Sequence, residues 1–174
     1  MKLDEIVLEP LREADLPEVN AVVEQAIMGW DLPERVKRLS LPGYRYDSAD
    51  LAHQQGRVAR DAEGHIVGVV VWEAAPDENV PGASNVYRLH GLYVAPSRQR
   101  QGIGRRLLDA VIREVCASGA DSLVIRAQAD AVPFFQAMGL ERLPVIDPAR
   151  DYPNRFHVAC NRTSSRITRP SHER

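Results

Sequence analysis

The sequence predicts a mixed α/β (α+β) domain. Strand-like runs and amphipathic helical stripes interleave without strict βαβ alternation. A strand at Tyr87–Val94 feeds through a basic, glycine-containing turn into a long patterned helix. The 174 residues suit one core better than two.

Ile6 to Leu11 reads as a first strand. Asp15-Leu16-Pro17-Glu18 has the form of a capping box, and Val19, Val22, Val23, Ala26 and Ile27 lay an apolar stripe along the helix it opens. Asp31-Leu32-Pro33-Glu34 repeats the start signal for a short second helix to about Leu39, followed by a loop over Ser40–Tyr46. Arg57–Arg60 and His65–Trp72 form a hairpin around Asp61-Ala62-Glu63-Gly64. Ala75 to Asn85, with two prolines and a glycine, is a surface loop before the strand at Tyr87–Val94. Gly102 opens the long helix, where Ile103, Leu107, Val111 and Val115 recur at fourth positions, and Ser118-Gly119 closes it. Strands are expected at Ser122–Arg126, Glu141–Ile146 and Arg155–Cys160, with a short helix at Ala131–Met138. One domain over residues 1–161 and a polar, disordered tail over 162–174 follow from this pattern.

Composition narrows the function. Twenty-two basic and 24 acidic side chains give a net charge of -2, with no basic stripe, which argues against nucleic acid as a partner. The longest apolar run, Ile66–Trp72, is too short to cross a bilayer, and the first residues lack a signal-peptide pattern, so no membrane association and a cytoplasmic location are expected. Cys116 and Cys160 form neither a metal-ligand spacing nor a disulfide framework and are expected as buried thiols; no metal is implied.

The chemistry concentrates in Leu89 to Leu108. A turn before a helix exposes unpaired backbone amides where the helix dipole also favours an anion, and glycine permits close approach of a phosphate. The ATP-binding loop would need Gly-Lys-Ser/Thr, which Gly104-Arg105-Arg106 does not supply, and the dinucleotide fingerprint would need a third glycine.

Gln99-Arg100-Gln101-Gly102-Ile103-Gly104 is similar to the pyrophosphate-binding signature Gln/Arg-x-x-Gly-x-Gly/Ala of the GNAT superfamily of N-acetyltransferases. Ala131-Val132-Pro133-Phe134-Phe135-Gln136-Ala137-Met138-Gly139-Leu140 resembles its second motif, Ala-x-x-Phe-Tyr-x-x-x-Gly-Phe. The resemblance spans about Val7 to Cys160 and implies a mixed, mostly antiparallel sheet of six to seven strands flanked by about four helices. It implies an N-acetyltransferase using acetyl-CoA, with CoA as product and a small-molecule or peptide amine as acceptor; homodimers are common in the superfamily. Pantetheine would lie between the strands at Tyr87–Val94 and Ser122–Arg126, bonded by the backbone of Leu92 to Val94 (Tyr93 between them). The amides of Gln99, Arg100, Gln101, Gly102, Ile103 and Gly104 would hold the pyrophosphate, with charge from Arg100 or Arg105. Gln128, Phe134 and Phe135 fall at further cofactor positions of the second motif.

Transfer to an amine needs a base, a stabilised oxyanion and a leaving thiolate. His90 matches a histidine of the arylalkylamine-acetyltransferase branch and is the candidate base, while the acid of histone-acetylating relatives falls on Arg88. Val94 N–H is the implied oxyanion donor. Period-two alternation puts Arg88, His90 and Leu92 on one face, where Arg88 would favour neutral His90, and Tyr87 and Tyr93 on the other. Two departures stand out: Phe135 replaces the usual tyrosine that protonates the sulfur, and Gln128 replaces a frequent asparagine. A thiol near pKa ~8.5 leaves tolerably unaided. The Phe135 departure keeps open a CoA-binding module without turnover, and a different acyl group or acceptor is a further alternative. On the acceptor side stand Trp30, Tyr44, Tyr46 and Arg88, with Asp31, Glu34, Asp77 and Glu78 as attractors for a cationic amine.

Overall fold

The Asp61–Gly64 turn, with Gly64 at a φ of 87°, closes a hairpin between β2 (Gln54–Arg60) and β3 (Ile66–Ala74). A computed structural model describes residues 5–160. β1 (Val7–Pro10) pairs with β2, and β4 (Val86–Val94) with β3, both antiparallel. β5 (Ser122–Arg126) joins β4 in parallel, and β7 (Arg155–Ala159) and β6 (Glu141–Arg142) complete a seven-stranded sheet of order β1-β2-β3-β4-β5-β7-β6. Among the described residues four α-helices flank it: α1 (Leu16–Met28), α2 (Glu34–Tyr44), α3 (Ile103–Ala117) and α4 (Val132–Ala137). The expected mixed, mostly antiparallel sheet with helices on both faces is borne out.

Two cores share the sheet. The α3 stripe, Ile103, Leu107, Leu108, Val111 and Val115, packs with Val70, Trp72, Leu89, Leu123 and Ile125 on one face. The α1 stripe, Val19, Val22, Val23, Ala26 and Ile27, packs with Val58, Val69, Val71, Tyr46 and Tyr93 on the other. From Val69 to Trp72, consecutive residues of β3 alternate between these clusters, as the pleat requires; the register shift against β2 breaks the alternation between Ile66 and Val69. At ~25 cal/mol per Å² of apolar area removed from water, such fully buried side chains hold the helices to the sheet.

The structure corrects several sequence expectations. Asp15 and Glu18 do not form a box with each other: Asp15 accepts from Arg12 N at 3.0 Å and pairs with Arg60 at 2.6 Å, whereas Glu18 accepts from Ile66 N and ties α1 to β3. The second helix continues past Leu39 to Tyr44, because Pro42 sits in the last turn, where its missing N–H forfeits a single bond. The expected strand at Glu141–Ile146 stops at Arg142; Pro144 cannot donate to a ladder, and Ile146 is exposed. Cys116 and Cys160 are not free thiols but a disulfide, with Cα atoms 5.1 Å apart. Spacing hid this pair, because topology brings it together: β7 lies beside β5, which follows directly after α3. No helix among the described residues is long and apolar enough to cross a membrane. The tail expected over 162–174 lies outside the described residues.

Candidate active site

The site starts from one extra residue. Val71 pairs with Gly91 and Trp72 with Leu89, so His90 is a bulge with no partner on β3. The bulge resets the pleat. Leu89 before it and Leu92 and Val94 after it all face the α3 core, while Tyr93 faces the α1 core. Strict alternation therefore misplaced two residues: Leu92 lies opposite Arg88, and Tyr93 lies on the side of His90.

Pairing between β4 and β5 runs from Val86↔Ser122 to Leu89↔Ile125 and ends there, one residue before the bulge. Beyond it the strands part. Ala95 N–H donates to Val67 O on β3 at 2.9 Å, so alternation of the backbone turns the amides of Leu92 and Val94 the other way, into the gap. The gap opens into a cleft of about 790 Å³, lined by the end of β4, the loop into α3, the end of β5, the start of α4, and Trp30 and Tyr44.

At the α3 end, Arg100 and Gly102 both adopt left-handed conformations, with φ of 61° and 81°. This is unusual for arginine and ordinary for glycine. Gly102 is the N-cap of α3 and supplies no side-chain cap, so the first-turn amides face outward. Gln99 Nε2 donates to Val94 O at 3.1 Å, clamping the loop to the strand. Arg100 and Arg105 are exposed on the cleft wall.

His90 sits at the opposite end, exposed to the cleft. Its Nδ1 lies 3.0 Å from Tyr46 Oη. Tyr46 is 3% exposed, and burial, followed by nearby Tyr93, pushes its hydroxyl well up, so it stays a neutral phenol. Gly91 is required here: a Cβ would stand 2.5 Å from Tyr46 Oη and 2.6 Å from Tyr93 Cε2. Burial and then Tyr44 likewise push up the Tyr93 hydroxyl. Trp30 meets Tyr44 edge-on at 5.5 Å, and Gln128 Nε2 reaches Tyr44 Oη at 3.4 Å across the cleft mouth.

Arg88 is occupied elsewhere. It pairs with Glu73 at 2.8 Å, Asp77 at 3.1 Å and Glu78 at 3.3 Å. Burial opposes ionisation of Glu73, but hydrogen bonds from Arg88 and Gln54 and the neighbouring His90 outweigh it and hold the carboxyl below its ordinary value.

The profile of the acetyltransferase (GNAT) domain matches residues 47–145, more than half of the sequence. The chain belongs to the GNAT acetyltransferase family. Solved structures of the same fold include the PaiA N-acetyltransferase of Thermoplasma acidophilum in complex with coenzyme A, 13% identical, covering 89% of this chain and 99% of that one at a TM-score of 0.70. A GNAT acetyltransferase of Brucella melitensis in complex with acetyl-CoA is 19% identical, covering 90% and 88% at 0.63. The Escherichia coli ribosomal-protein-S18-alanine N-acetyltransferase is 17% identical, covering 94% and 99% at 0.61.

In this GNAT domain most of the residues singled out by sequence meet around one cleft: His90, Leu92, Tyr93, Val94, Gln99, Arg100, Gly102, Ile103, Gly104, Arg105, Gln128, Phe134, Phe135, Trp30 and Tyr44 all line it. Gln101 does not; it bonds Arg98 instead. Tyr46 and Arg88, expected on the acceptor wall, lie behind His90 and in the carboxylate cluster respectively. Phe135 is buried, 6.2 Å from the Phe156 ring. Sequence reading missed Arg126 and Tyr152 in the lining; Glu78, expected to attract a cationic amine, is instead the buried carboxylate against Arg126.

Proposed function

We propose that the protein moves an acetyl group from acetyl-CoA to a primary amine by direct attack of the amine on the thioester. The observation that carries this is the bulge at His90, which parts β4 from β5 and sets a histidine beside two inward-facing backbone amides. The cleft suits the donor: an extended pantetheine arm can add to the open side of β4 through the backbone of Leu92 and Val94. The left-handed turn at Arg100–Gly102 and the uncapped start of α3 offer convergent amides to a pyrophosphate, with Arg100 and Arg105 adding charge. Acetyl-CoA supplies an activated acyl carbon; the chain's residues do the rest.

In this reading Tyr46 accepts the Nδ1–H of His90, which leaves the lone pair on Nε2, the nitrogen toward the cleft. Nε2 takes a proton from the attacking amine as the C–N bond forms. Val94 N–H donates to the oxyanion that develops on the carbonyl. The C–S bond then breaks and the sulfur leaves as a thiolate, protonated from solvent. Phe135 has no hydroxyl to offer, and the Tyr93 phenol, pushed up by burial, is a hydrogen-bond donor rather than a proton source. The thiol's own acidity makes that tolerable.

Phe135 favours one other reading, a CoA-binding module without turnover. Release of free CoA thiol from acetyl-CoA, across pooled amines, amino acids, polyamines and peptide N-termini with a no-acceptor blank, separates the two. Acceptor-dependent release that falls ~10²–10⁴-fold in His90→Gln, with CoA affinity unchanged, is the expected result. No release above blank in any pool, alongside tight CoA binding, would establish the module instead.

A further inference from the structure

We infer that the acceptor amine carries a carboxylate a few bonds from its nitrogen, and that Arg126 receives that carboxylate; this rests on the acyl-transfer reading of the cleft. Leu89 and Ile125 are the last paired residues of β4 and β5, and both side chains enter the α3 core. The next residue on each strand, His90 and Arg126, therefore emerges on the opposite face, side by side where the strands part, and both line the cleft. The last pair, Leu89↔Ile125, holds the two strands together one residue below, so His90 and Arg126 flank the mouth of the opening from its two sides, where one small acceptor can meet both.

Arg126 is also held for such a task. Its Nε lies 2.6 Å from Glu78 Oε1, on a side chain only 2% exposed. The same carboxylate meets Arg155 at 2.8 Å and Arg88 at 3.3 Å. Arg88 has Glu73 and Asp77 besides, and Arg155 is buried against Asn79 O at 2.9 Å. Arg126 alone of the three is 43% exposed, and among the described residues nothing is hydrogen-bonded to its two terminal nitrogens. A guanidinium fixed at Nε presents those nitrogens as a preorganised fork, the geometry that matches a carboxylate.

Charge points the same way. Of the acids expected to attract a cationic amine, Asp77 and Glu78 are engaged by arginines and Glu34 by Arg38; Asp31 remains, but a second cation placed beside His90 would meet Arg126. The Trp30–Tyr44 edge pair stands on the other side of the mouth as an apolar wall for the rest of the acceptor.

Matched ligands test this on the CoA-loaded protein. L-Phenylalanine, its decarboxylated amine phenethylamine and its amide are titrated by calorimetry, so that binding is read without turnover, and kcat and KM are measured in parallel by thiol release. The acid is expected to bind about 10–100-fold tighter than the amine or the amide, a charge-assisted pair's share of affinity. Arg126→Gln should erase that preference by weakening the acid alone, while Arg126→Lys keeps part of it. Equal binding of acid and amine by the wild-type protein, or an unchanged preference in Arg126→Gln, overturns the inference. Taurine outcompeting β-alanine overturns the carboxylate in favour of a sulfonate. Acid preference without thiol release leaves this inference standing and defeats the transfer reading; release with no preference does the reverse.

Discussion

The two arms of the cleft are built on different principles. The donor arm, from Leu92 through the start of α3, works with backbone: inward-facing amides, two left-handed residues and an uncapped helix. The arm proposed for the acceptor, from α1 and α2 across to the end of β5, works with side chains: Trp30 and Tyr44 at the mouth, His90 backed by Tyr46, and Arg126 against the buried Glu78. Backbone recognition constrains sequence through glycines and spacing. Side-chain recognition constrains it only through contacts between residues far apart in the chain. The family profile's match takes in the whole backbone arm together with His90 and Arg126, but starts at residue 47 and leaves out Trp30, Tyr44 and Tyr46.

Perturbing each arm separately should keep the two behaviours apart. The largest effect is expected from Cys160→Ser. The disulfide closes a loop of 44 residues that contains β5, α4 and most of the acceptor wall beyond His90. In the chain-entropy view such a closure is worth about 4 kcal/mol, or roughly 10 °C in melting temperature for a chain of this size. Calorimetric melting of the variant against the oxidised wild type checks it. Next comes Gly102→Ala. A φ of 81° costs an L-residue about 1–2 kcal/mol, so CoA affinity should fall roughly 5–30-fold, with acceptor KM unmoved.

Tyr46→Phe should do the opposite, leaving CoA affinity intact and lowering kcat by about tenfold, a modest loss of positioning. Burial pushes the Tyr46 hydroxyl up and keeps it neutral, so its removal should take no limb out of the pH–rate profile. The smallest effect belongs to Gly104→Ala, since a Cβ there would meet Phe134 and Val94 at an ordinary 3.7 Å. Near-wild-type CoA affinity is expected; a large loss would mean that the backbone of the donor arm is read more tightly than its spacing requires.

The same division explains how much was legible in the sequence. The strand–turn–helix from Tyr87 to Val115 could be read because hydrophobic period, glycine placement and charge all agree there. The faces of β4 could not. A bulge adds a residue without any compositional mark, and strict alternation carried past His90 puts Leu92 and Tyr93 on exchanged sides. Tyr46 was noticed for its chemistry but placed on the acceptor wall, because nothing in residues 40–46 announces that it packs beneath a strand 44 residues later. Glu78 looked like a solvated loop acid; three arginines from three strands bury it, and only the sheet order brings them together.

The bond between Cys116 and Cys160 also shapes the bench work. It occupies both cysteines of the sequence, so the protein brings no sulfhydryl of its own to a reaction whose product would be one. Every thiol counted above the blank is then released coenzyme. A preparation kept in reductant would mask that signal and, by opening the staple, loosen the wall against which an acceptor has to lodge. Oxidised, desalted protein is the form in which turnover should be sought.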